Sequence, residues 1–161
     1  MIPQLLDYNM KNTTLCYIEK DGKYLMIHRV KKQNDINKDK WVGVGGKLEA
    51  GETPFDCARR EINEETGLSA DNLSYRGLVT FVSNEFGTEY MHLFHVDRFS
   101  GSLLEECAEG NLEWVDKIDV LKLPLWEGDK IFLDLLERDV PFFSLKLVYD
   151  KDTLVSHTLE F

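Results

Sequence analysis

Thr53-Pro54 opens and Gly67 closes a helical stretch whose charge pattern limits what the chain around it can become. Thr is a favoured N-cap, Pro suits the first helical position, and Asp56 stands where a capping box places its acid. Gly67 supplies the left-handed residue that ends a helix. On a helix over Pro54 to Thr66, at about 100° per residue, Glu61, Glu64 and Glu65 fall at about 0°, −60° and +40°. Phe55, Ala58 and Ile62 fall at about 60° to 120° on the same wheel. One side is therefore apolar and the adjoining side carries three carboxylates, which sets the acids at the edge of a core.

Strand-like runs surround this helix. Between Thr13 and Ile27 two β-prone runs flank Asp21-Gly22, a strong hairpin signal. Leu73 to Val82 and Tyr90 to Val96 read as a longer hairpin turning at Asn84 to Gly87. A second helix is predicted over Glu127 to Glu137, where Ile131, Phe132, Leu135 and Leu136 make one apolar stripe. The chain then closes with two strands turning near Tyr149 to Asp152. Arg29 to Lys40 is polar and aperiodic, which predicts a mobile surface loop, and its position before Trp41 makes it a candidate lid or base-contacting segment. This order of elements is α+β, a mixed sheet with two helices. No linker or repeat interrupts it, so residues 1–161 form a single domain.

The charge balance excludes several classes of partner. With 29 acidic against 19 basic residues the formal net charge is −10. Duplex nucleic acid is held by Lys/Arg contacts that displace counterions, so no stable duplex binding is expected. No apolar run approaches the roughly 18 residues of a membrane span, and MIPQLLDYNM lacks a basic-then-apolar leader. Cys16, Cys57 and Cys107 form no CxxC pair, which reads as free thiols in a reducing cytoplasm. A phosphate ligand would need local positive charge.

The acidic helix face offers a way to recruit it. Glu61, Glu64 and Glu65 repel one another, and with Glu52 nearby their pKa values should rise unless a cation compensates. Oxygen-only ligands select a hard cation, and an open site suits Mg²⁺ with retained waters better than a Ca²⁺ cage. Three Glu alone would also describe a solvated surface. The flanks argue against that: Gly43, Gly45 and Gly46 permit close backbone approach, and Lys47 follows at once. His92 and His95, three apart on a strand, point to opposite faces and make no simple metal pair. Cys57 reads as an inert small helix residue.

Gly46, five residues, Glu52, seven residues, then Arg60-Glu61-Ile62-Asn63-Glu64-Glu65-Thr66-Gly67-Leu68 is similar at every specified position to the Nudix box, G-x5-E-x7-R-E-U-x-E-E-x-G-U. Average residue usage makes a chance match on the order of once in 10¹⁰ starting positions. The resemblance implies an α/β/α sandwich with a mixed sheet and a catalytic loop-helix-loop. It also implies Glu61, Glu64 and Glu65 as divalent-metal ligands with the carbonyl of Gly45, and Mg²⁺, or Mn²⁺ in its place, as the ion. Glu52 would support the metal, Arg60 would orient Glu52, and Lys47 would face phosphates. The implied chemistry is attack of metal-activated water on a phosphoanhydride. Glu61 and Glu109 are both candidates for the general base.

Beyond the box the chain resembles MutT-type oxidised purine nucleoside triphosphate hydrolases, in Trp41, Leu112 to Val115, Leu123 to Asp129 and the closing DTLVSHTLEF. That resemblance implies Trp126 as a base platform and Asp129 as a reader of the purine edge. Two positions depart from it: Gly128 stands where a first Asp is expected, and Val42 replaces a base-bonding Asn. Trp126 also fits a helix-start aromatic, and Asp129 a helix first-turn acid. The expected reaction is cleavage of a nucleoside triphosphate, a purine such as 8-oxo-dGTP, to monophosphate and pyrophosphate, by a monomer or homodimer. The alternatives are a broad pyrophosphohydrolase of nucleotide sugars or ADP-ribose, and a nucleotide-binding module without turnover. Val82 to Glu85 carries neither the Pro nor the Tyr of ADP-ribose and dinucleoside polyphosphate hydrolases.

Overall fold

A computed structural model describes residues 10–161; the start of the chain, read above as leaderless, falls almost wholly outside the described residues. Ten strands and three helices follow in the order β1 (Met10–Lys20), β2 (Lys23–His28), β3 (Trp41–Val42), α1 (Pro54–Thr66), β4 (Leu68–Ala70), β5 (Ser74–Ser83), β6 (Gly87–Val96), β7 (Phe99–Gly101), β8 (Asn111–Asp116), α2 (Lys117–Val120), α3 (Asp129–Glu137), β9 (Phe143–Asp150) and β10 (Thr153–Glu160). The main sheet runs β10-β9-β5-β6-β1-β2-β3, with β8 also paired to β2, and β4 pairs with β7. It is mixed: β1 with β6 and β5 with β9 are parallel, the other ladders antiparallel.

Asp21 and Gly22 both take positive φ, the turn that the Asp-Gly pair favours. The hairpin it makes is short. Only Glu19 with Tyr24 and Lys20 with Lys23 pair across it before the strands diverge. β1 then follows β6 over nine pairs, while β2 takes β8 and β3 as neighbours. On its freed edge β1 receives the Gly-rich segment instead, through Cys16 opposite Val44 and Thr13 opposite Lys47.

Alternate residues of the central strands face opposite layers. Cys16, Ile18, Leu25 and Ile27 join Ala58 and Ile62 of α1 in one core cluster. Tyr17, Tyr24 and Met26 join Phe132, Leu133 and Leu135 of α3 in another. This is the sandwich that the box resemblance implied. α1 has the expected cap: Asp56 N–H donates to Thr53 Oγ1 at 3.1 Å and Thr53 N–H to Asp56 Oδ2 at 3.0 Å. Gly67 ends it at φ 80°. α3 starts at Asp129, two residues later than the apolar stripe predicted, because Trp126 to Gly128 form the entering turn. Four-residue α2 had no signal of its own in the sequence.

Among the described residues no helix is long and apolar enough to cross a membrane. The three cysteines are free and buried. Removing the α1 cap by Thr53→Ala should cost about 1 kcal/mol, whereas Ile62→Ala should cost about 2–5 kcal/mol by leaving a cavity. Urea unfolding of the two variants checks that ranking.

Candidate active site

The Gly-rich segment lies where side chains cannot. A Cβ on Gly45 would stand 1.9 Å from the carbonyl oxygen of Thr14, and one on Gly46 2.5 Å from the carboxylate carbon of Glu61. Backbone bonds hold this approach: Thr14 N–H donates to Gly46 O at 2.8 Å and Cys16 N–H to Val44 O at 2.6 Å. The Cys57 thiol closes the back, 3.5 Å from Gly46 O and 3.4 Å from Thr14 Oγ1. Cys57 is fully buried, and burial raises its pKa. It serves packing, as the sequence suggested.

From α1, Glu61 and Glu65 face one cavity of about 560 Å³. Glu65 is 8% exposed; one oxygen accepts from Gly45 N–H at 2.9 Å, and Oε2 is buried with no hydrogen-bond partner. Desolvation pushes its carboxyl up to about 8, reinforced by the charges of Glu61 and Glu109, while the Gly45 bond and Arg29 act against the rise. A buried, orphaned carboxylate oxygen beside a second carboxylate fits a cation, which would supply the missing partner. Glu64, which the helical wheel grouped with Glu61 and Glu65 on one face, instead sits on the exposed flank outside the cavity lining, drawn toward Arg60 at 3.3 Å.

Arg60 gathers the remaining acids. Its guanidinium meets Glu52 at 2.7 and 2.8 Å, Glu61 at 2.7 Å and Glu64 at 3.3 Å, and donates to Lys47 O at 3.0 Å. That contact and a bond from Glu49 N–H hold the Glu52 carboxyl down at about 2. Arg60 is itself held firmly protonated by Glu52 and Glu61. Among the described residues no three His, Cys, Asp or Glu side chains converge as a ready metal-ligand set. Arg60 takes up part of the charge that a cation would otherwise balance.

The same cavity receives Glu109, between Arg29 at 3.0 Å and Lys32 at 2.9 Å, and exposed Lys47 at its mouth. The cavity is also lined by Val42, Phe81, Met91, Trp126 and Asp129. Trp126 is buried, edge-on to Phe81 and Tyr149, with the Lys40 ammonium 4.7 Å over its ring. Gly128 has no room for a side chain, since a Cβ would meet Leu147 at 2.5 Å and Tyr149 at 2.8 Å. Burial lifts Asp129 from an ordinary 3.8 to about 8, with Lys40 lowering and Glu89 raising it. Glu89 and Lys11 line this cavity without having been singled out in the sequence, whereas Arg29 and Asn37, which line it too, belong to the loop read as a lid or base-contacting segment. Glu89 reaches it because β6 runs parallel to β1, which puts Thr13 Oγ1 2.9 Å from its carboxylate. No local pattern signals such a pairing.

The histidines lie elsewhere: His95 meets Glu19 at 2.8 Å, and His92 bonds to Tyr75 and Asn12. The Asp129 shift has a thermodynamic consequence. Folded protein binds the extra proton between about pH 4 and pH 8, so this group costs stability as pH rises through that window. Asp129→Asn should therefore gain on wild type as pH rises and level off above about pH 8, as read by urea unfolding at a series of pH values.

Comparison with known proteins fits this geometry. The NUDIX domain family matches residues 10–136. The chain is 32% identical over 133 residues to the Bacillus subtilis Nudix hydrolase YvcI, covering 80% of each. It is 31% identical over 157 residues to a Danio rerio oxidized purine nucleoside triphosphate hydrolase, covering 95% of this chain and 96% of that one. A crystal structure of a MutT mutator protein from Bacillus halodurans superposes with a TM-score of 0.82 at 27% identity, covering 93% of this chain and 97% of that one. With box, sandwich and domain match in agreement, the chain belongs to the Nudix hydrolase family and is an enzyme acting on nucleoside phosphates.

Proposed function

We propose that this Nudix hydrolase cleaves a purine nucleoside triphosphate, in first place an oxidised one such as 8-oxo-dGTP, to nucleoside monophosphate and pyrophosphate. The observation that carries the reading is one cavity lined both by the carboxylates Glu61, Glu65 and Glu109 and by Trp126, Phe81 and Asp129. Pockets of this size class enclose small organic ligands, and the two sets of lining residues suit phosphates and a base respectively. The Danio rerio relative, aligned over nearly the whole chain, supports the same substrate class.

Each side chain has a distinct task. Glu61, Glu64, Glu65 and the Gly45 carbonyl would hold Mg²⁺, or Mn²⁺ in its place. Bound there, the cation would neutralise phosphate charge and lower the pKa of the attacking water. Glu109 or Glu61 would accept a proton from the attacking water. Lys47 at the mouth of the cavity draws in phosphate oxygens. Arg60 fixes Glu52 by two bonds and so braces the loop before α1. Toward the base, Asp129, neutral at pH 7, donates a hydrogen bond to a purine acceptor, a role an ionised carboxylate cannot fill. Val42 contributes an apolar wall.

Two measurements test this. Pyrophosphate and phosphate release should be followed with Mg²⁺ on normal and oxidised dNTPs and NTPs, ADP-ribose and nucleotide sugars. We expect kcat/KM for 8-oxo-dGTP to exceed that for ADP-ribose and nucleotide sugars by at least about tenfold, the scale of one well-made polar contact. Preference for a nucleotide sugar or ADP-ribose would overturn the substrate assignment, and binding without turnover would favour a non-catalytic module. Separately, Mg²⁺ should raise the Tm of wild type, EDTA should abolish turnover, and Glu65→Gln should lose most of the Mg²⁺-dependent rise. Full turnover in EDTA would refute the metal.

A further inference from the structure

Arg29 to Lys40, between β2 and β3, is a run of turns without helix or strand, yet it is braced across the cavity. Arg29 N–H donates to Lys40 O at 2.9 Å and Asp39 N–H to Arg29 O at 2.8 Å, which ties the ends of the loop together. At its centre the Asp35 side chain is only 4% exposed. It accepts from Arg29 Nε–H at 2.7 Å and from Asn37 N–H at 3.0 Å. Asn37 Oδ1 in turn accepts from the Trp126 indole N–H at 2.7 Å. The other arm of Arg29 reaches Glu109 at 3.0 Å. An unbroken chain of polar contacts thus runs from Trp126 through Asn37, Asp35 and Arg29 to Glu109, linking two side chains of the cavity wall.

Stability is a poor reason for this arrangement. A nearly buried ion pair seldom adds net stability, since desolvation offsets the attraction. What it adds is direction. A planar guanidinium presents separate N–H groups to two acids and fixes one relative to the other. An indole has a single N–H, so its acceptor sets the rotation of the ring.

We infer that Asp35 and Asn37 are positioning residues that orient Trp126 and Glu109 as one unit through the Arg29 to Lys40 loop, so that the seat of the base and the acid facing the phosphates are set together. The kinetic consequence rests on the nucleoside triphosphate reading above; the mechanical one does not.

Two readouts separate them: steady-state kinetics with Mg²⁺ on 8-oxo-dGTP and dGTP, and the three indole N–H signals of the full chain by ¹H–¹⁵N NMR. Asn37→Ala should raise KM about tenfold, the effect of one lost oriented hydrogen bond, and Asn37→Asp, which keeps an acceptor oxygen, should restore most of it. Asp35→Asn should lower kcat about tenfold and also shift the Trp126 indole signal, although it touches no atom of that ring. The double variant should lose less than the product of the single losses. An unmoved Trp126 signal in Asp35→Asn, or losses that multiply, would overturn the inference. If Asn37→Ala does not fold, Asn37→Asp and Asp35→Asn carry both readouts. Should wild type hydrolyse neither nucleotide, the proposed substrate falls, and the indole signal still decides the loop.

Discussion

The contact of the Gly43 to Lys47 backbone with β1 and α1 is the constraint on which the rest of the molecule depends. At Gly45 the chain approaches the Thr14 backbone more closely than any residue with a Cβ could, and at Gly46 a Cβ would have to push the Glu61 carboxylate aside. That approach brings the Gly45 N–H to Glu65, seals Cys57 behind Gly46 and opens the cavity on the other side. It is available because β1 leaves β2 after two pairs and offers a free edge to the segment. A continuous hairpin would have filled that edge and closed the site.

Charge is the second organising theme. The chain carries a net charge of −10, and carboxylates of one loop and helix are treated in opposite ways. Glu52, clasped by Arg60, is held near 2; Glu65, taken from water with one oxygen orphaned, is pushed to about 8. Asp129 is raised as far, chiefly by burial and also by the charge of Glu89, with Lys40 acting against the rise. Pairs of acids with environments that separate their pKa values are a mark of sites that do acid–base or cation chemistry. Lys11, Arg29, Lys32 and Lys47 line the same cavity, so an overall acidic protein still presents cations where a polyphosphate would enter.

The loop that reads as polar and mobile in sequence bonds to itself and to Trp126 and Glu109. Its polarity was correctly legible, but polarity alone does not distinguish a solvated loop from one whose polar groups bond to each other and to distant walls. Asp35 and Asn37 show the difference: their partners include Arg29, on the same loop, and Trp126, 89 residues further along the chain.

By itself the sequence determined the local events. Capping chemistry placed the start and end of α1, helical periodicity put Glu61 and Glu65 on one face beside Ala58 and Ile62, and Asp-Gly set the first hairpin turn, because each depends on residues a few positions apart. The spacing of Gly46, Glu52 and Arg60 to Gly67 pointed to the family for the same reason: the site's acids lie within one loop and helix. Only the tertiary structure decided that β1 runs parallel to β6, that Glu89 joins Glu109 and Asp129 in the cavity lining, that a Cβ at Gly128 would meet Leu147 and Tyr149, and that Asn37 accepts from Trp126. Those relations join residues far apart in the chain, and their energies come from burial and pairing that exist only once the sheet has assembled.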